Sequence, residues 1–134
     1  MKLFRIDGSL IIDNPEIDNL KELVEYCVKE GISLRYANMQ YANMRYANMQ
    51  GADLFNADLF NADLFNANLQ DANMRGANMR YANMRGADLF NADLFNADLF
   101  NANLQGANMQ GADMRYANIR SANMRDADLQ DSDL

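Results

Sequence analysis

From Ala37 to Ala127 alanine recurs at every fifth residue, the next residue is always Asn or Asp, and the one after is Leu, Met or, once, Ile119. Only the last unit departs, with Ser132 in the alanine slot. Ile32-Ser33-Leu34 fits the same frame as a degenerate first unit, and steps of five from Leu34 to Leu134 give 21 units without insertion or deletion. A five-residue step in an α-helix turns about 500°, a net ~140°, which scatters the Leu/Met positions around the cylinder and leaves no apolar stripe. One long strand fails as well, because an odd period sends successive Leu residues to opposite faces. Within a unit, however, Ala-(Asn/Asp)-(Leu/Met) alternates in, out, in, and the other two residues can turn a corner. Bends of one hand wind such units into an all-β solenoid with the Ala and Leu/Met columns inside.

The first 31 residues have a different texture. Leu3-Phe4-Arg5-Ile6 and Ser9-Leu10-Ile11-Ile12 flank Asp7-Gly8, which predicts a short hairpin with a two-residue turn. Asn14 offers an N-cap, Pro15 a first helical residue and Gly31 a left-handed terminator, so a helix is expected over about 15–30. Its apolar face would carry Ile17, Leu20, Val24, Cys27 and Val28, with Leu23 at the margin and Lys21, Glu22, Glu25 and Lys29 toward water. The expected domains are therefore residues 1–31, a hairpin and capping helix, and residues 32–134, the repeat.

The Ala-(Asp/Asn)-Leu-X-X pattern of residues 32–134 resembles that of the pentapeptide repeat proteins. The resemblance implies a right-handed quadrilateral β-helix with four units per coil, about five coils, and roughly 24 Å of height at the ~4.8 Å strand spacing. On that reading residues 20 apart stack. One outward column then reads Arg35, Phe55, Arg75, Phe95, Arg115, and the next Gln40, Phe60, Arg80, Phe100, Arg120. Guanidinium and ring would alternate within cation–π reach. Asn38, Asp58, Asn78, Asp98 and Asn118 alternate amide with carboxylate, whereas Asp93, Asp113 and Asp133 stack like on like. The last position of each unit holds Asn and Gly, which suit a positive φ, but also Tyr36, Tyr41, Tyr46, Tyr81 and Tyr116, which do not; two kinds of corner are expected.

Composition narrows the chemistry. The chain of 134 residues has no His and one Cys, Cys27, which removes His general bases, Cys/His metal sites and intramolecular disulfides. A net charge of −7 argues against nucleic acid or an anionic membrane as partner. No apolar run approaches a membrane span and Met1–Arg5 lacks signal-peptide features, so a soluble cytoplasmic protein is expected. Ten Met, mostly at inward positions, read as core rather than soft-metal ligands. No catalytic, cofactor-binding or metal-ligating residue is expected, and no cofactor.

The most unusual outward feature is a set of six aromatic residues, Phe55, Phe60, Phe65, Phe90, Phe95 and Phe100. The repeat running to the final Leu134 predicts an open coil edge through which two chains would meet as a homodimer. Some pentapeptide repeat proteins mimic duplex DNA and inhibit type II topoisomerase, and the resemblance brings gyrase in as an alternative partner. Against it, the repeat mixes Arg among its Asp residues. Residues 51–70 and 86–105 are identical, and the repeat region contains neither Lys nor Glu. Such uniformity reads as a non-enzymatic scaffold designed from a consensus, with no evolved activity.

Overall fold

The computed structural model describes residues 1–134. Strand β1 (Lys2–Phe4) pairs antiparallel with β2 (Leu10–Asp13), with a register shift between Leu3 and Phe4. The turn between them has three residues rather than two. The Gly8 N–H donates to Arg5 O at 2.9 Å, and Gly8 itself, at φ +84, makes the bulge that returns the chain at Ser9. The Asp7 carboxylate accepts from the Ser9 N–H at 2.9 Å and fixes the tip.

Helix α1 (Leu20–Lys29) begins later than residues 14–15 suggest. Asn19 is the N-cap, its side chain accepting from the Glu22 N–H at 2.9 Å. Asn14 instead closes a local turn by accepting from the Glu16 N–H, and Pro15 lies in that turn. Ile17 thus packs against the core from a loop. Leu23, expected at the margin, is fully buried with Val24 and Cys27 at the centre of the contact. The C-terminus closes as a Schellman motif: Ile32 N donates to Cys27 O at 2.8 Å and Gly31 N to Val28 O at 3.2 Å, with Gly31 at φ +68.

Beyond residue 32 the chain winds as a four-sided coil. Parallel bridges join Asn38 to Asp58, Asn43 to Asp63, Asn48 to Asn68 and Asp53 to Asn73, and continue at the same separation of twenty to Asp113 and Asp133. Every side ends in the same corner. The N–H of each Ala donates to the carbonyl of the Leu or Met three residues before it, as Ala57 to Leu54 at 2.9 Å, and the residue just before each Ala has a positive φ. This is the type II pattern, and it corrects the expectation of two corner types. Tyr36, Tyr41, Tyr46, Tyr81 and Tyr116 adopt φ between 58 and 62, like their Asn and Gly counterparts.

The backbone pairing explains why one slot holds Asn or Asp in every unit after the first, where Ser33 accepts the same N–H more weakly, from Arg35 at 3.4 Å. In the units below the last coil the N–H of the Leu/Met and of the corner residue donates to the next coil, as Leu59 to Asn78 O at 2.8 Å and Asn61 to Arg80 O at 2.9 Å. The Asn/Asp N–H donates to the previous coil, as Asp58 to Ala37 O at 2.9 Å. The N–H after the Leu/Met faces no strand, and the Asn/Asp side chain two residues earlier accepts it: Phe60 N to Asp58 Oδ1 at 3.0 Å, Gln70 N to Asn68 Oδ1 at 3.1 Å. A carboxamide or carboxylate one carbon from Cβ has the reach for this turn, so the slot is fixed by backbone satisfaction.

Inside, the Ala and Leu/Met columns from Leu34 to Met114 are buried as one cluster that continues into Leu3, Leu23, Val24 and Cys27. The N-terminal segment covers the first coil and carries on its ladder. Asn38 N donates to Phe4 O at 2.9 Å, and Ile6 N to Tyr36 O at 2.8 Å. The Glu25 carboxylate accepts from Asn48 N at 2.8 Å, standing in for a preceding coil. At the far end Ile119 is 36% and Leu134 72% exposed, and the N–H groups of Ile119, Met124 and Leu129 have no partner in the chain.

Candidate interaction surface

The side faces of the solenoid carry the remaining chemistry, and their geometry follows from the coil. A residue just after Leu/Met lies beneath two residues of the next coil: the Asn/Asp eighteen positions on, and the outward residue twenty positions on. Arg75 shows the pattern. Its Nη1 lies 3.7 Å from Asp93 Oδ2 while its guanidinium carbon lies 4.9 Å from the Phe95 ring centroid. Arg35 holds Asp53 and Phe55 at 3.7 and 4.2 Å, Arg45 holds Asp63 and Phe65 at 3.1 and 4.4 Å, and Arg80 holds Asp98 and Phe100 at 3.3 and 4.8 Å. Each guanidinium thus clamps the Asp-Leu-Phe of the coil above.

The columns of alternating Arg and Phe therefore do stack, mostly with polarity: Arg35, Arg75 and Arg80 reach the ring above, no such contact joins Phe55 to Arg75 or Phe60 to Arg80, and only Arg115 lies over the ring below it, Phe95, at 5.8 Å. Where Gln replaces Arg, its amide takes the same carboxylate, as Gln40 to Asp58, Gln70 to Asp88 and Gln110 to Asp128. The Gln110 hydrogen bond holds the Asp128 carboxyl below the usual range. Asn side chains also donate down to the previous coil, with Asn78 to Asp58 and Asn118 to Asp98 both at 2.9 Å.

Asp113 is the exception. It stands above Phe95, which has nothing to donate, and it bridges Asp93 and Asp133. Arg115 folds back to it bidentately, with Nε to Oδ1 at 2.9 Å and Nη2 to Oδ2 at 2.7 Å. That pair pulls the Asp113 carboxyl below its ordinary range and pushes the Arg115 guanidinium up. No three of the His, Cys, Asp and Glu side chains converge on a point that could hold a metal ion. Cys27 is buried against the first coil, and burial raises its thiol.

Of the six outward Phe residues, all but Phe90 are half-buried. Tyr side chains from the adjoining corners meet them edge to face. Tyr36 to Phe55, Tyr46 to Phe65 and Phe95 to Tyr116 lie at centroid distances of 5.8, 5.6 and 5.2 Å. Tyr41, Phe60, Tyr81 and Phe100 form a continuous column at 5.6, 5.6 and 5.8 Å. Sequence reasoning missed the diagonal Arg-to-Asp link and the Tyr-to-Phe packing; the recurrence of Arg or Gln eighteen residues before Asp was the available signal.

Residues 30–59, 57–94 and 92–131 each match the family model described as pentapeptide repeats (8 copies). Among solved structures, the chain is similar to a pentapeptide repeat protein from the cyanobacterium Cyanothece 51142, at 33% identity and a TM-score of 0.65, over 65% of this chain and 59% of that one. It is similar to a pentapeptide repeat protein from the thylakoid lumen of Arabidopsis thaliana, at 38% identity and a TM-score of 0.61, over 63% of this chain and 59% of that one. The chain therefore spans less than two thirds of either relative. No curated protein matches it.

Proposed function

The chain belongs to the pentapeptide repeat family of right-handed quadrilateral β-helices, and from that premise we propose that it is a non-enzymatic structural scaffold, designed from the family consensus and without an evolved activity. The observation that carries this reading is the internal use of the surface groups. Arg35, Arg45, Arg75 and Arg80 are each engaged with a carboxylate and a ring of the next coil, so these outward charges hold coils together rather than form a catalytic or DNA-like charged surface. The identical blocks 51–70 and 86–105 support design. They lie thirty-five residues apart, so the same sequence occupies the four sides of the coil rotated by one side, and both copies pack their Leu columns fully.

Inhibition of gyrase by DNA mimicry would need an acidic surface free of local counter-charges, since duplex DNA carries one charge per ~1.7 Å. The paired Asp residues speak against it. DNA supercoiling by gyrase, measured against increasing concentrations of the folded protein, decides between the readings. The scaffold reading expects full supercoiling at high micromolar protein. Inhibition that is lost on changing surface Asp to Asn would overturn it.

We also propose that the last coil mediates a homodimer. Its exposed Ile119 and Leu134 and the free N–H groups of Ile119, Met124 and Leu129 make an unpaired edge of the kind that associates. Light scattering at high concentration should give twice the 15.2 kDa chain mass; a 15.2 kDa species would exclude the dimer. No helix is long and apolar enough to cross a membrane.

A further inference from the structure

Two places on the side of the solenoid have the same frame of residues. In the first, Phe60, Asn61, Arg80, Tyr81, Phe100 and Asn101 occupy equivalent positions in three successive coils; in the second, Phe55, Asn56, Arg75, Gly76, Phe95 and Asn96 do. The two sets match residue for residue except at one position, Tyr81 against Gly76. The Arg geometry matches too: Arg80 lies 4.8 Å from Phe100 and pairs with Asp98, and Arg75 lies 4.9 Å from Phe95 and pairs with Asp93.

In the first frame the Tyr81 ring stands between the two Phe rings, edge to face with both, at 5.6 Å from Phe60 and 5.8 Å from Phe100. In the second that ring is missing, and a cavity of about 250 Å³ opens between Phe55 and Phe95. This is below the ~300–1,000 Å³ of pockets for drug-sized ligands and suits one ring. Its walls are the two rings, the Arg75 guanidinium and the Asn56 side chain, whose Oδ1 leans into the place of a Cβ on residue 76 and turns aside when that corner is filled.

We propose that the Gly76 notch binds the phenol ring of a tyrosine side chain from a partner polypeptide, in the place that Tyr81 fills within the chain itself. The occupant is argued from the filled frame. Phe above and below and Arg stacked on the upper ring already hold a phenol ring in this protein, and the second frame keeps both Phe rings and the Arg, lacks the ring, and has the flexible Asn56 side chain leaning toward the vacated corner. The inference is independent of the scaffold reading, because it rests on the difference between two internal sites.

The test uses N-acetyl-tyrosinamide as the probe and the isotope-labelled full chain, observed by NMR. Saturable shifts are expected at the Gly76 amide, which donates to Phe95 O at 2.9 Å, and at the Phe55 and Phe95 rings, with half-saturation in the millimolar range and no saturation by N-acetyl-leucinamide. Gly76→Tyr should fill the notch from within and abolish the shifts. Tyr81→Gly should open the first frame and add a second saturable set at residue 81, which keeps the test decisive even where Gly76→Tyr fails to fold. Absence of saturable shifts at Gly76 up to the solubility of the probe would overturn the proposal. So would an equal response to the leucine amide, or a folded Tyr81→Gly chain that gains no second site.

Discussion

The Asn78 side-chain amide donates to Asp58 Oδ1 at 2.9 Å, and the same oxygen accepts the Phe60 backbone N–H at 3.0 Å. Asp58 is the one charged residue the coil buries, at 8% exposure, and Gln40 donates to its second oxygen. Three donors from three coils therefore converge on one carboxylate. Asp58→Ala leaves the Phe60 N–H and the Asn78 amide without this acceptor and should cost about 1–3 kcal/mol. Asp58→Asn keeps an oxygen for the Phe60 N–H and stacks amide on amide, as Asn123 does on Asn103 at 3.3 Å, so it should cost less. Denaturant unfolding of the two variants tests the order; equal losses would mean that the turn to Phe60 is not what the slot provides.

The interior predicts a gradient along the axis. Leu64 is fully buried in the middle of the solenoid, and Met124 is half-buried in the last coil. Leu64→Ala should cost roughly 2–5 kcal/mol, the range for a large core residue whose cavity cannot collapse, and Leu64→Asp several kcal/mol through burial of a charge. Met124→Ala should cost clearly less than Leu64→Ala. Thermal unfolding that ranks the two alanine variants equally would contradict the placement of the columns.

How far the sequence discloses this architecture depends on which physical rule governs each position. The five-residue period excludes helix and long strand and leaves the inward Ala and Leu/Met columns, so the buried residues from Leu34 to Met114 are legible from pattern alone. The corners were not. Local preference places Gly and Asn at positive φ and argues against Tyr, yet Tyr81 adopts φ 59 because two Phe rings from neighbouring coils hold it there. The diagonal clamp of Arg75 on Asp93 depends on the offset between a corner and the side above it, which a column of twenty-residue steps does not reveal. At the N-terminus, Asn14-Pro15 and Asn19 both carry cap signals. The later one caps the helix because Leu20 to Lys29 places Leu23, Val24 and Cys27 against the first coil, while Pro15 serves a turn.

Strain against aromatic packing gives a third test. A bulky residue at positive φ costs of order 1–3 kcal/mol, and each edge-to-face pair returns about 0.5–1.5 kcal/mol. Tyr81 packs on two Phe rings and Tyr46 on one, and each has a guanidinium near its own ring, Arg80 at 5.9 Å and Arg45 at 5.7 Å. Replacement by Asn, which the same corner accepts at positions 56, 61 and 66, relieves the backbone in both. Tyr81→Asn should therefore be less favourable than Tyr46→Asn by about one pair, 0.5–1.5 kcal/mol. Identical melting shifts would remove the rings as the reason for the Tyr corners.

The cap should control opening of the first coil. Glu25 accepts the Asn48 N–H at 2.8 Å, and Leu23 fills the end of the core. Glu25→Ala should speed amide hydrogen exchange at Asn48 with a small loss of global stability, because that N–H lies at an exposed position and water replaces the carboxylate. Leu23→Ala should cost roughly 2–5 kcal/mol and speed exchange across the first coil before the middle coils respond. Uniform acceleration along the whole solenoid in Leu23→Ala would show that the cap is not a separate opening unit.

The Asp113–Arg115 pair makes stability depend on pH in a defined direction. The bidentate hydrogen bond from Arg115 holds the Asp113 carboxyl below the ordinary carboxylate value of about 3.9. A folded-state value below the unfolded one means that the folded chain binds fewer protons between them. The contribution is thus fully present above pH ~4 and is lost as pH falls through the lowered folded-state value. Asp93 and Asp133 flank Asp113 in the same column, so removing Arg115 also leaves three stacked carboxylates with less positive charge beside them. Arg115→Gln should lower the melting temperature at pH 7, and its difference from the parent chain should shrink as the pH is taken below 4. Asp128, held low by Gln110, responds in the same direction and is present in both chains, so it cancels in the comparison. Melting curves between pH 2 and pH 7 decide the matter: a difference that stays constant down to pH 2 would show that Arg115 stabilises the chain by packing on Phe95, 5.8 Å away, rather than through the Asp113 carboxylate.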